Sequence, residues 1–341
     1  ERLTRSAGAG RVTAFSVMLT MIALFGFSIS NSFGLLCLWA VPYGLGAGAV
    51  DATLNNFVAL HYSQRHMHWL HCFWGVGVSI SPYIMGYCLG TAGGWQAGYL
   101  DVAIIQAGLA AILFCSLPLW KKAIAAPVVN DEPTCGEPAP PHLGVCRALQ
   151  LPGVKAMLVG FFCYCALESS VGLWASSYLV LNRGIGVEAA ARWASLFFLG
   201  ITGGRFFSGL IANKFSDRTI VRSGVGLIAL GLLAILLPVQ LSLLPLSGLI
   251  IIGLGCAPVY PAIIHETPFN FGKENSSAVI GIQMAGAYLG ATLMPPLFGF
   301  IANKFGIFLY PFWLLLILIV MVVALECKNR LVNKKGNNTL N

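Results

Sequence analysis

Apolar residues run along this chain in long blocks, and short polar or Gly/Pro-rich breaks divide them. A block of about 20 such residues, coiled as an α-helix, crosses about 30 Å of hydrocarbon. The blocks predict ten helices, at 12–30, 34–60, 69–90, 96–118, 153–181, 188–211, 221–238, 243–265, 276–302 and 306–326. The alternation that strands of a membrane barrel need is absent. One long polar segment, KKAIAAPVVNDEPTCGEPAPPHLGVCRALQ, separates four spans from six. Its prolines and acids suit a solvated linker. The expected organisation is a first bundle over 1–120, a linker over 121–150, a second bundle over 151–326 and a polar tail over 327–341.

Composition sharpens this into a fold class. The chain is 57% hydrophobic and 9% charged, whereas a soluble domain carries roughly 25% charged residues. An all-α membrane protein is expected. The net charge of +8 then reflects topology, not a nucleic-acid surface. With the N-terminus placed in the cytoplasm, sixteen of the twenty Lys and Arg residues fall in cytoplasmic segments, and only Arg183 and Lys304 in outer loops. Both termini are therefore expected to be cytoplasmic. The ten cysteines are scattered through apolar runs without a CxxC pair and read as small buried hydrophobes.

The two halves share a pattern. YGLGAGAVDAT (43–53) matches IGLGCAPVYPA (252–262) at Gly44/Gly253, Leu45/Leu254, Gly46/Gly255 and Val50/Val259. GVSISPYIMG (77–86) matches GATLMPPLFG (290–299) at Gly77/Gly290, Pro82/Pro295 and Gly86/Gly299. Parallel repeats with a site between the halves are a transporter architecture. The second half has two spans, 153–181 and 188–211, without counterparts in the first. A repeat of equal halves leads us to expect roughly 60 further residues and two more helices upstream, giving a 6 + 6 chain; a ten-span protein is the alternative.

GRFFSGLIANKFSDR (204–218) resembles the cytoplasmic signature of the major facilitator superfamily, with Gly209, Asn213, Lys214 and Arg218 in its places and Asn213 where Asp is usual. ERLTRSAGAGR (1–11) is similar to the tail of the same signature in the first half. VDATLNNFV (50–58) resembles the fourth helix of the fucose:proton symporter group, and LESSVGLWASSYLV (167–180) and TPFNFG (267–272) are similar to a sugar-transporter-like branch. The resemblance implies two six-helix bundles and alternating access of a small polar solute, a sugar or related compound. It also implies symport with protons, no cofactor, and a monomer in the plasma membrane of a bacterial cell. In the symporter group protons use one carboxylate on the first helix and one on the fourth; Asp51 occupies the fourth-helix place.

Several residues could carry that chemistry. A charged carboxylate at the centre of an inserted helix costs about 2.5–3.5 kcal/mol, so Asp51 should face an interior cavity. Gly44, Gly48, Asp51 and Asn55 fall on one stripe about 60° wide. Asp51 is either a proton or substrate group, or a hydrogen-bonding partner between helices. Glu168, on a face with Tyr164, is the second-half carboxylate. It serves either the cavity or a gate between bundles. In HYSQRHMHWLHCFW (61–74), His61, His66 and His68 are expected in a loop, with His71 and Trp74 entering the next helix on one face. The spacing of His68 and His71, without companion carboxylates, does not make a metal site. Gln283, polar in an apolar run, and Tyr260, the repeat counterpart of Asp51, are further cavity candidates. Arg205, Gly209, Lys214, Asp217 and Arg218 belong to the signature and are expected to form a charge-paired conformational switch.

Other functions remain on the table. An exporter of drugs or metabolites would share the fold, but Gly77, Pro82 and Gly86 only loosely match an antiporter signature. A non-transporting sensor on the same scaffold is a further alternative. No ATP-binding loop, metal motif or nucleophile loop supports an intramembrane enzyme.

Overall fold

The computed structural model describes residue 4 and residues 7–125, 144–237 and 243–338. Most of the expected linker, and Arg2 and Arg5, lie outside the described residues. Among the described residues ten helices are long and apolar enough to cross a membrane. They are α1 (Ala9–Ser28), α2 (Phe33–His61), α3 (Gln64–Leu89), α4 (Gly94–Ala125), α5 (Val154–Arg183), α6 (Val187–Ile211), α7 (Asp217–Leu236), α8 (Leu243–His265), α9 (Lys273–Phe305) and α10 (Tyr310–Asn338). Among the described residues there is no strand, and the protein is an all-α, multi-pass membrane protein.

Two ends differ from the hydropathy pattern for one reason. α3 begins at Gln64, inside the run expected to be a loop, because Met67 and His68 are fully buried there. α10 continues to Asn338, past the apolar block, because its polar extension still buries Lys328. Packing, more than local hydropathy, sets both boundaries.

The chain forms two compact units. The first comprises residues 1–61 and 76–142, the second 62–75 and 143–341. In the first, α1 packs against both α2 and α4. A Cβ at Gly46 of α2 would lie 2.7 Å from the Ser16 carbonyl oxygen and 3.2 Å from the Thr20 nitrogen of α1. Gln106 of α4 donates to the Thr20 hydroxyl, and Phe15 meets Phe114 edge to face at 5.4 Å.

In the second unit α8 is the hub. It packs against α7 on one side and α6 on the other, while α5 packs against α9 and α10. Both faces of α8 are cut by glycine. A Cβ at Gly255 would meet the Gly224 carbonyl of α7 at 2.7 Å, and one at Gly248 the Gly231 carbonyl at 2.8 Å. On the other face, one at Gly253 would lie 2.3 Å from the Phe197 carbonyl of α6. Small residues let membrane helices come this close, and dispersion and Cα–H contacts hold them.

The internal repeat is visible as packing. Gly46 touches the carbonyl of Ser16 and the amide of Thr20; its counterpart Gly255 touches the carbonyl of Gly224 and the amide of Ile228. The same glycine, the same pair of backbone groups and nearly the same offset recur in both units.

One end of the second unit is tied by charge. α6 ends in a single 3₁₀ turn at Ala212–Lys214, and Ser216 caps α7 by accepting the Thr219 amide. Arg222 grips Glu326 of α10 through two hydrogen bonds of 2.7 and 2.8 Å. Glu266, just past α8, pairs with Lys328 of α10, and both are almost fully buried.

Three outcomes follow from these contacts. Gly253→Ala should lower stability by about 1–3 kcal/mol, because its methyl group meets backbone that cannot turn aside. Gly286→Ala, where no atom lies within 4 Å, should leave the thermal midpoint of the detergent-solubilised protein unchanged. Glu266→Leu should cost about 3–5 kcal/mol by leaving Lys328 buried and unpaired, and adding Lys328→Met should restore most of the loss; the same thermal assay reads both.

Candidate functional site

An ion pair lies inside the second unit, its arginine buried and its carboxylate partly exposed. Glu168 stands at the midpoint of the 30-residue α5. Arg205 stands near the end of α6, after the run FFLGITGG. Its Nη2 lies 3.7 Å from Oε1 of Glu168, close enough for attraction but longer than a good hydrogen bond. Nη1 donates to the backbone carbonyl of His71 at 3.3 Å. The guanidinium carbon sits 4.8 Å from the ring centre of Trp74, within the range of a cation–π contact. Arg205 is 2% exposed, and its Nε is buried with no hydrogen-bond partner.

The start of α3 is held beside α6 by two glycines, one on each helix. A Cβ at Gly75 would lie 2.3 Å from the Thr202 hydroxyl, and one at Gly209 would lie 2.5 Å from Nε1 of Trp69. The Cys72 thiol donates to the Thr202 carbonyl at 3.6 Å. This close fit sets the His71 carbonyl and the Trp74 ring on Arg205, while Trp74 keeps about half of its surface exposed, at 48%.

Aromatic rings line the other side. Tyr260 of α8 meets His71 edge to face at 4.7 Å, and lies 4.7 Å from Phe161 and 6.0 Å from Tyr164. Its hydroxyl donates to the Met284 sulfur at 3.3 Å. Tyr164 is fully buried, and its hydroxyl donates to the Cys256 carbonyl at 2.9 Å. It braces α5 against α8 and does not itself offer a surface to a ligand. Gln283 is also fully buried; its Oε1 accepts from Thr267 at 3.1 Å and its Nε2 has no partner.

The structure thus brings together Glu168, Arg205, His71, Trp74, Tyr164 and Tyr260, and places Gln283 in the core on Thr267. Asp51 and Asn55 belong to the first unit. There Gly46 faces α1, and the Thr53 hydroxyl lies 3.3 Å from that of Thr4, which precedes α1. At 100° per residue, Gly44, Gly48, Asp51 and Asn55 lie on the opposite side of α2. Gly44 and Gly48 have open space where a Cβ would stand. Asp51 is half-buried and Asn55 is buried. Gly46, not Gly44 or Gly48, is the residue that allows close approach.

The signature residues separate into two groups. Arg205 joins the ion-pair cluster and Gly209 receives Trp69. Asp217 Oδ2 lies 2.8 Å from Nδ1 of His265, and Arg218 donates to Asn333 at 2.7 Å. Lys214 is exposed on the 3₁₀ turn. The ties made by Asp217 and Arg218 each join two segments of the same unit.

His61 closes α2, and His66 and His68 lie in α3, which corrects the expectation of a loop for all three. His68 is fully buried, with His265 and Arg205 as its electrostatic neighbours, and neither ring nitrogen has a partner. The signal was its helical spacing with His71 and Gly75. Among the described residues no group of three His, Cys, Asp or Glu side chains is arranged to hold a metal ion.

Comparison with known proteins gives this geometry a family. Residues 2–267 match the family described as Major Facilitator Superfamily. The chain is 23% identical over 321 residues to the uncharacterized transporter y4wD of Sinorhizobium fredii, covering 89% of this chain and 76% of that protein. It is 24% identical over 321 residues to the hexuronate transporter of Bacillus subtilis, covering 87% of this chain and 74% of that one. In fold it is similar to the E. coli fucose:proton symporter FucP, with a TM-score of 0.71 at 14% identity, over 96% of this chain and 85% of that chain. The chain belongs to the Major Facilitator Superfamily, whose members are membrane transporters of small-molecule solutes and not enzymes.

Proposed function

We propose that the protein is a secondary active transporter that moves a small polar solute, a sugar or related compound, by alternating access coupled to protons. The observation that carries this reading is the Glu168–Arg205 pair, set among membrane-spanning helices beside Trp74 and Tyr260. Ionisable side chains are rare at such depth and mark solute or proton paths. Aromatic faces beside a polar pair suit a sugar, whose CH groups stack while its hydroxyls bond. The names of two similar proteins, a hexuronate transporter and a fucose:proton symporter, support the same solute class.

In this reading Asp51 is the proton-carrying acid of the first bundle, with Asn55 beside it, and Glu168 is the acid of the second. His71, Trp74 and Tyr260 border the solute, and Gln283 and Tyr164 hold the wall in place. Gly209, Lys214, Asp217 and Arg218 form the switch at the cytoplasmic face, and the segment 121–150 links the bundles there. The steep asymmetry of Lys and Arg supports a plasma-membrane topology with both termini inside.

Asp51→Asn tests the coupling. Proton-driven accumulation of solute in cells or proteoliposomes should fall by about ten- to a hundredfold, the scale of a coupling free energy of about 1–3 kcal/mol. Exchange of labelled for unlabelled solute, which needs no net proton movement, should persist. Equal loss of both activities would take the proton role away from Asp51.

A further inference from the structure

Arg205 is poorly satisfied for a group so deeply buried. A guanidinium has five N–H donors in a planar fork that matches a carboxylate. Here one of them makes a hydrogen bond, to the His71 carbonyl, and Nε has no partner. Glu168 supplies charge at 3.7 Å but not the short paired bonds of a fork-on-carboxylate contact, about 2.7–2.9 Å each. The Glu168 side chain is 14% exposed and that of Arg205 3%, while the Trp74 ring beside them is about half exposed. The guanidinium is thus the least exposed member of the cluster, and Glu168 and Trp74 are its more accessible ones.

We propose that Arg205 is the seat for a carboxylate carried by the solute, that the solute is a polyhydroxy acid of the sugar-acid class, and that Glu168 vacates its place by taking up a proton. This rests on the transporter reading above and adds the charge of the cargo. Without solute, the guanidinium and the Glu168 carboxylate cancel. With solute, the incoming carboxylate cancels the guanidinium, and Glu168 carries one proton and no charge. One proton enters with each monoanion, so the buried site stays neutral in both states. Neutrality matters because an uncompensated charge at this depth is expensive. Among the described residues, Arg205, Tyr164 and Cys256 face Glu168, and Glu168, Tyr164, Cys256, His68, His71 and Cys72 face Arg205. Glu168 is the one carboxylic acid in that set. Trp74 and Tyr260 would stack on the hydroxylated carbon chain.

The test uses the purified full chain with D-glucuronate, D-galacturonate and D-gluconate against the neutral D-glucose and D-galactose. Binding is read by thermal shift and uptake by reconstitution, each at mildly acid and at neutral pH. The acids should bind and be taken up, about tenfold more tightly at acid pH, since a proton must accompany them. Glu168→Gln mimics the protonated acid; it should bind uronate at neutral pH as tightly as the unaltered protein does at acid pH, with the pH effect reduced to less than about twofold. Arg205→Gln should abolish uronate binding, and Arg205→Lys, which keeps the charge but loses the fork, should weaken it about tenfold or more. If the arginine variants do not fold, the Glu168→Gln profile decides. Uptake of the neutral sugars but not the acids would overturn the carboxylate seat and leave the transporter reading standing. Binding of acids without movement of any solute would uphold the seat and overturn transport. Absence of acid binding, or an unchanged pH profile in Glu168→Gln, would overturn the proposal.

Discussion

A guanidinium charge held inside membrane-spanning helices is the interaction around which the second unit is arranged. On insertion scales an unpaired arginine costs at most about 2.5–3.5 kcal/mol, the value at a helix centre, and Arg205 sits toward one end of α6. Arg205 meets that cost from three directions at once. Glu168 of α5 supplies opposite charge, the His71 carbonyl of α3 a hydrogen bond, and Trp74 the negative face of its ring. Three helices are thereby fixed on one side chain. The compensation is incomplete, since Nε is left over. A structural ion pair would be expected to saturate its donors; one that exchanges partners would not.

The aromatic wall is built for stiffness more than for recognition. Tyr164 spends its hydroxyl on the Cys256 carbonyl, and Phe161 fills the space beneath Tyr260. Among the described rings at the cluster Trp74 is the most exposed, and Tyr260 keeps part of its surface open. The charge ties at the Asp217 end work in the same sense. Asp217 to His265, Arg218 to Asn333 and Arg222 to Glu326 join α7 to the end of α8 and to α10, within one unit. They stiffen that unit, and a switching role for them has to act through its shape.

The ten helices were legible in the sequence because hydrocarbon imposes one length and one composition on whatever crosses it. The repeat was legible because Gly46 and Gly255 answer the same steric demand, a backbone pressed on a backbone, and nothing but glycine meets it. Glu168 stood out as a carboxylate in an apolar run. Arg205 stood in an equally apolar run, yet the signature that follows it drew it into a surface role. Its place became visible only with Trp74 and His71, more than a hundred residues away in the chain. His68 was hidden for a related reason: QRHMH is polar enough to read as loop, and its burial depends on neighbours that local sequence does not name. Tyr164 and Gln283 were polar residues in apolar helices, and whether such a group faces a chamber or a carbonyl is decided by the opposing helix.

The glycine contacts on both faces of α8 have a mechanical meaning. Where main chain rests on main chain, no rotamer can swing to absorb a displacement, and little side-chain entropy is gained by loosening the joint. α6, α7 and α8 therefore behave as a plate. α6 carries Arg205; α8 carries Tyr260 and ends at His265, which shares His68 as a neighbour with Arg205. A push delivered at the guanidinium is not dissipated inside the plate but turns the whole piece, as a hand turns a lever.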